Sequence, residues 1–156
     1  CSSDLEVFVF VFFGLVAVVG TAATQTGHIT TIQLLSGTAC GALSCAILVA
    51  NNLRDIPTDT HTGKRTLAVI LGDKGTRELY RTCFLVAYSM PVIMTMLTNG
   101  PAYAYISLLT LLSARRPLMA VGNGASGPEL IQVLADTGKC LLLFAMSMSV
   151  GIAASA

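Results

Sequence analysis

The sequence predicts an all-α fold, an integral membrane bundle of about five transmembrane helices. Three observations carry that expectation. Of the 156 residues, 54% are hydrophobic and only 11% charged, against roughly 25% charged in an ordinary soluble domain, and the mean hydropathy is +0.75. The apolar residues gather in runs long enough to cross a bilayer. If those runs alternate in direction, every Lys and Arg falls on one side of the membrane.

Cys1-Ser2-Ser3-Asp4-Leu5 fits poorly with the apolar run that follows. Residues 1–5 read as a non-native scar and are set aside from fold reasoning. The chain starts on Cys rather than Met, so residues 6–156 are expected to be part of a longer membrane domain.

The first helix is expected from Glu6 to about Ala23, a Val- and Phe-rich run interrupted by Gly14 and Gly20. No basic segment precedes it and no small-residue cleavage site follows, which argues against a signal peptide. Gly14 admits either close helix packing or a kink. A polar turn over 24–31 follows, and its lone His28 reads as solvated. The second helix, Ile32 to Leu53, concentrates Ser36, Gly37, Ala39, Gly41, Ala42, Ser44 and Ala46 in its first two-thirds. Small residues let membrane helices approach closely, which places this helix centrally.

A loop over 54–78 comes next, with 66–71 as a short helix folding back over it and Gly72-Asp73-Lys74-Gly75 as a turn. The third helix, Leu79 to Leu97, contains Pro91 and is expected to kink there. Asn99-Gly100-Pro101 reads as a tight turn, Ala102 to Ala114 as a short fourth span, 115–128 as a loop, and Glu129 to Ala156 as the fifth helix. Cys40, Cys45, Cys83 and Cys140 lie in or beside apolar segments without metal-binding spacing. They read as reduced, buried small hydrophobes.

Alternation puts Arg54, Lys64, Arg65, Lys74, Arg77, Arg81, Arg115, Arg116 and Lys139 on one side. The positive-inside rule makes that side cytoplasmic, in the plasma membrane. A net charge of +1 argues against nucleic acid as a partner, leaving the lipid bilayer as the surroundings.

Polar chemistry concentrates in Asn51-Asn52-Leu53-Arg54-Asp55-Ile56-Pro57-Thr58-Asp59 and the following Gly63-Lys64-Arg65-Thr66-Leu67-Ala68-Val69. Asn51, Asp55 and Asp59 recur every four residues, so a helix aligns their oxygens one turn apart. Pro57 is expected to end that helix near Ile56, leaving Asp59 on a loop or a restarted turn. A few hard oxygen ligands of this kind suit Mg2+, which keeps waters and shares its shell with substrate phosphates. Lys64 and Arg65 supply charge for phosphate oxygens. Two carboxylates followed by two cations suggest a metal-bridged diphosphate. A solvated loop after a membrane helix would show similar residues, but amides at the edge of lipid are costly without partners.

The run N-N-L-R-D-I-P-T-D-x-x-x-G-K-R-T-L-A-V resembles the second aspartate-rich motif of the UbiA superfamily of intramembrane aromatic prenyltransferases, in the wording of the branch acting on 1,4-dihydroxy-2-naphthoate in menaquinone biosynthesis. The resemblance extends from about Val7 to Asp136-Thr137-Gly138. It implies the C-terminal half of a nine-helix fold built around a lipid-accessible cavity, with the first aspartate-rich motif absent, so that this piece is expected to be inactive alone. It implies Mg2+ held by Asp55 and Asp59, with Asn51 or Asn52 completing the shell. Lys64, Arg65 and Arg54 would steady the diphosphate of a polyprenyl diphosphate. An aromatic acceptor, 1,4-dihydroxy-2-naphthoate, would be prenylated with loss of its carboxylate, giving demethylmenaquinone.

Three other readings remain open. A related branch acting on 4-hydroxybenzoate or homogentisate would share the metal and differ in acceptor. A transporter would carry polar residues along its path, but those sites usually lie at mid-depth, whereas here they gather at one face. An assembly subunit would leave the motif without a chemical role.

Overall fold

The computed structural model describes residues 4–98 and 102–155. Among them there is no strand, and the chain forms five helical rods. These are α1 (Leu5–Thr26), α2 (Thr31–His61), α3 (Leu67–Thr98), α4 (102–122) and α5 (Glu129–Ala153). All except α4 are long and apolar enough to span a membrane. The protein is therefore a multi-pass helical bundle, as its composition foretells.

α1 starts at Leu5 and runs past Ala23, winding as a π-helix over Phe10–Gly20 and ending where Gly27 turns left-handed (φ 76°). A capping box starts α2. The Thr30 hydroxyl accepts from the Gln33 backbone N–H at 3.2 Å, and the Gln33 side chain accepts from the Thr30 N–H at 3.0 Å. This reciprocal pair satisfies two donors that a helix start leaves open. His28 is exposed, with Nδ1 2.9 Å from the Thr26 carbonyl oxygen.

Three boundaries differ from expectation. α2 does not stop near Ile56 but continues through Pro57 to His61. Proline removes one intrahelical bond, while the Thr58 and Thr60 hydroxyls fold back onto the Asp55 and Ile56 carbonyls at 2.8 and 2.7 Å. Those bonds stay within the turn around the proline. The long loop over 54–78 accordingly shrinks to 62–66. α3 begins at Leu67 and breaks its helical dihedrals at Gly72 (φ 68°, ψ 178°), a conformation open to glycine because it lacks a Cβ. The Thr76 hydroxyl bridges this break, donating to the Gly72 and Ala68 carbonyls at 2.8 and 3.3 Å. The stretch expected as a loop over 115–128 is helical through Gly122, because 102–122 is one rod, 3-10 over its first nine residues and α over the next twelve. The expected turn at Asn99-Gly100-Pro101, and Cys1 to Ser3, lie outside the described residues.

α2 is the centre of the bundle and packs against α1, α3 and α5, while α4 leans on α5 and α3. Small residues explain its position. A Cβ placed on Gly14 of α1 would stand 2.5 Å from the Gly37 carbonyl oxygen and 2.8 Å from the Gly41 Cα. Gly14 therefore serves close packing, one of its two expected roles. On the other side, Tyr80, Phe84 and Tyr88 of α3 form an aromatic ladder that meets Phe144 of α5 edge-on at 5.1 Å. The Tyr80 and Tyr88 hydroxyls reach Thr137 and Thr110 at 2.7 and 2.9 Å, satisfying polar tips that would otherwise lie unpaired in an apolar core. Cys45, Cys83 and Cys140 are buried free thiols and Cys40 is half-buried.

Helix direction gathers the basic residues at one end. The Arg77 guanidinium donates to the Val121 and Ala125 carbonyls at 2.8 and 3.0 Å, tying the start of α3 to the end of α4. Replacing Gly14 with Ala should destabilise the bundle by about 1–3 kcal/mol through overpacking. Gly20→Ala, where an added Cβ meets nothing within 4 Å, should be near neutral. Thermal unfolding of the full-length protein in detergent distinguishes the two.

Candidate functional site

The continuous α2 carries Asn51 to Asp59 on one helix, with Lys64 and Arg65 in the loop that follows. Asn51 and Asp55 lie one turn apart on one face, and Asn51 Nδ2 donates to Asp55 Oδ2 at 3.3 Å. Arg54 closes over both. Its Nε and Nη2 reach the two Asp55 oxygens at 2.8 and 3.1 Å, and Nη2 also reaches Asn51 Oδ1 at 2.9 Å. A guanidinium fork matches a carboxylate in this bidentate way. With both side chains about 30% exposed, the cluster stays open to the aqueous edge.

Asp59, one turn further on, is 7% exposed. Its backbone carbonyl accepts from the Lys64 N–H at 2.9 Å, closing the end of α2 through left-handed Gly63. The Lys64 ammonium stands 3.4 Å from the Asp59 carboxylate. This is a loose pair at a half-exposed lysine, so its contribution to stability is small. Arg65 is exposed beside it.

Asn52 faces another way. It is buried and donates to Glu6 Oε1 at 2.8 Å. Glu6 is itself 8% exposed, its other carboxylate oxygen Oε2 has no partner among the described residues, and its backbone carbonyl accepts from the Cys45 thiol at 3.1 Å. The two asparagines thus divide: Asn51 joins the Arg54–Asp55 cluster and Asn52 locks α1 to α2. Sequence reasoning passed over Glu6. The available signal was a carboxylate opening an apolar run, which antiparallel helices place level with the amides closing the next one.

Two apolar grooves flank α2. One, of about 410 Å³, is lined by Val9, Phe13, Ser44, Ile47, Leu48, Asn51, Leu134 and Leu141. Asn51 forms its polar limit, and Asp55 follows one turn later on the same face. The other, of about 360 Å³, lies on the opposite side between α1 and α3, where Glu6, Cys45 and Leu67 line it. Among the described residues no three His, Cys, Asp or Glu side chains converge on a point. The donors present are one amide and two carboxylates spaced along α2, which fits a share of a Mg2+ shell completed by phosphate and water.

Fold and site together define a class: a membrane helical bundle in which an apolar groove ends at an amide, with a guanidinium–carboxylate pair bonded to it. The UbiA prenyltransferase family profile matches residues 5–121, and the chain belongs to that family. It is 44% identical to the 1,4-dihydroxy-2-naphthoate octaprenyltransferase of Mycobacterium leprae over 92% of this chain and 48% of the relative. It is likewise 44% identical to the 1,4-dihydroxy-2-naphthoate octaprenyltransferase of Mycobacterium tuberculosis over 95% of this chain and 50% of the relative. A more distant similarity, 30% over 68% of this chain and 31% of the relative, is to UbiA prenyltransferase domain-containing protein 1 of Danio rerio. The chain spans about half the length of the two mycobacterial relatives. No solved structure matches it.

The Glu6–Asn52 pair yields a stability test. Asn52→Leu strips a buried carboxylate of its donor and should cost about 1–3 kcal/mol. Glu6→Gln keeps an acceptor for Asn52 while removing the charge, and should leave thermal stability equal or higher.

Proposed function

We propose that the full-length protein, of which this chain is the C-terminal half, transfers a polyprenyl group from polyprenyl diphosphate to 1,4-dihydroxy-2-naphthoate, with loss of the acceptor's carboxylate. The observation that carries the reading is the apolar groove ending at Asn51, with the Arg54–Asp55 pair one turn beyond on the same helix. The names of the mycobacterial relatives support this acceptor over 4-hydroxybenzoate. The product would be demethylmenaquinone, made in the plasma membrane with the motif facing the cytoplasm.

In this reading the groove takes the prenyl tail, and Asn51 marks the boundary between tail and diphosphate. Arg54 exchanges its Asp55 carboxylate for diphosphate oxygens, which frees Asp55. Lys64 and Arg65 in the connecting loop add positive charge to hold the same group. Asp55 and Asp59, with Asn51, are the residues that would hold Mg2+. That ion, when bound, supplies the charge neutralisation that lets diphosphate leave. The apolar walls formed by Phe13, Leu48, Leu134 and Leu141 exclude water from the allylic cation left behind. Asn52, committed to Glu6, acts through the position of α2 rather than on the substrate.

Membranes carrying the full-length gene test this directly, with the naphthoate and 4-hydroxybenzoate as competing acceptors and with Mg2+ present or chelated. Transfer to the naphthoate that requires the metal is expected. Transfer to hydroxybenzoate alone would move the substrate, and no transfer to either would return the transporter reading. Asp55→Ala and Asp59→Ala should each lower turnover at least a hundredfold, on the order expected for losing a charge-stabilising group, with membrane insertion unchanged. Arg54→Gln should chiefly raise the KM for the diphosphate substrate.

A further inference from the structure

A third groove, of about 340 Å³, lies between α4 and α5 and is lined by Leu112, Ser113, Arg116, Asp136, Lys139 and Leu143. It faces away from the central groove. Leu134 and Leu141 of α5 line the central one, and at 100° per residue Asp136, Lys139 and Leu143 project from the opposite side of the same helix. On that outer side Leu112 and Leu143 stay uncovered by the other described helices.

The groove is amphiphilic. Leu112 is 80% exposed and Leu143 47%, presenting an apolar track along the bilayer. At its polar end, Lys139 is 68% exposed and touches Asp136 only at 3.5 Å. Asp136 also accepts from the Gln132 amide at 3.0 Å. Arg116 is exposed, and no ion-pair partner for it occurs among the described residues. Ser113, on the neighbouring turn, donates its hydroxyl to the Thr110 carbonyl. Two cations against one carboxylate leave a net positive pocket, with Arg115 exposed alongside. Both cations belong to the end of the bundle where the Lys and Arg residues gather, the side with an anionic leaflet.

We propose that this groove binds an anionic phospholipid, its phosphate seated between Arg116 and Lys139 and an acyl chain lying along Leu112 and Leu143. Charge complementarity selects the headgroup and the exposed leucines select a lipid over a free anion. Basic pockets between helices at the cytoplasmic surface take acidic headgroups in this manner. The site is separate from the proposed prenyl-transfer groove and does not depend on that reading.

The test uses the full-length protein in neutral detergent, offered equimolar phosphatidylglycerol and phosphatidylcholine and read by native mass spectrometry and thermal unfolding. Phosphatidylglycerol should be retained about tenfold over phosphatidylcholine and should raise the unfolding midpoint. The double variant Arg116→Gln/Lys139→Gln should bind the two lipids equally, whereas Lys74→Gln, exposed elsewhere on the basic end, should keep the preference. The charge-keeping Arg116→Lys/Lys139→Arg pair should keep it too, which separates lost charge from lost folding. Equal retention by the wild type, or a preference that survives the double variant or falls equally with Lys74→Gln, would overturn the site. An equal rise in midpoint with inorganic phosphate alone would overturn the lipid assignment.

Discussion

Backbone contact between Gly14 of α1 and the Gly37–Gly41 turn of α2 sets the spacing on which the other features rest. In lipid no hydrophobic force drives one helix onto another, so association depends on close van der Waals approach and on polar pairs. The glycines permit that approach near the middle of α1 and in the first third of α2. From there the Glu6–Asn52 hydrogen bond at the polar end falls into reach, and the larger Val9, Phe13, Ile47 and Leu48 hold open a groove beside the contact. A wider spacing would break the buried pair, and the groove would lose its boundary between apolar walls and polar rim.

Much of this was legible in the sequence because the signals were physical and local. Apolar run length gave the rods, and the small-residue stretch placed α2 at the centre. The four-residue recurrence of Asn51, Asp55 and Asp59 gave a shared helical face. Pro57 misled. Its intrinsic preference against helix is a weak prior in a long membrane helix whose remaining bonds are intact, and the rod continued to His61. Residues 115–128 misled in the same way, since their Gly, Asn and Ser content argues for a loop by composition, yet α4 runs on through Gly122.

What the sequence could not give was which of two adjacent amides faced which partner. Asn51 and Asn52 are chemically identical, and a rotation of 100° about α2 sends one to Arg54 and Asp55 and the other to Glu6. Only packing decides that. The Arg54 fork over Asp55 was hidden for a related reason: neighbouring residues on a helix diverge, and the pair forms because a long guanidinium can curl back to the adjacent carboxylate. The family resemblance implied a chemistry for the motif, while the geometry separated Asn52 from Asn51.

The buried thiols have a use beyond filling space. Cys45 lies on the α1–α2 seam against the Glu6 carbonyl, Cys83 is enclosed on α3, and Cys140 on α5 stands 3.5 Å from the Ser113 hydroxyl of α4. The α1–α2 and α4–α5 seams and the buried face of α3 therefore each carry a native reporter. A thiol-specific reagent would label them in the order in which the seams open, so the unfolding sequence of this membrane domain can be followed without introducing a probe.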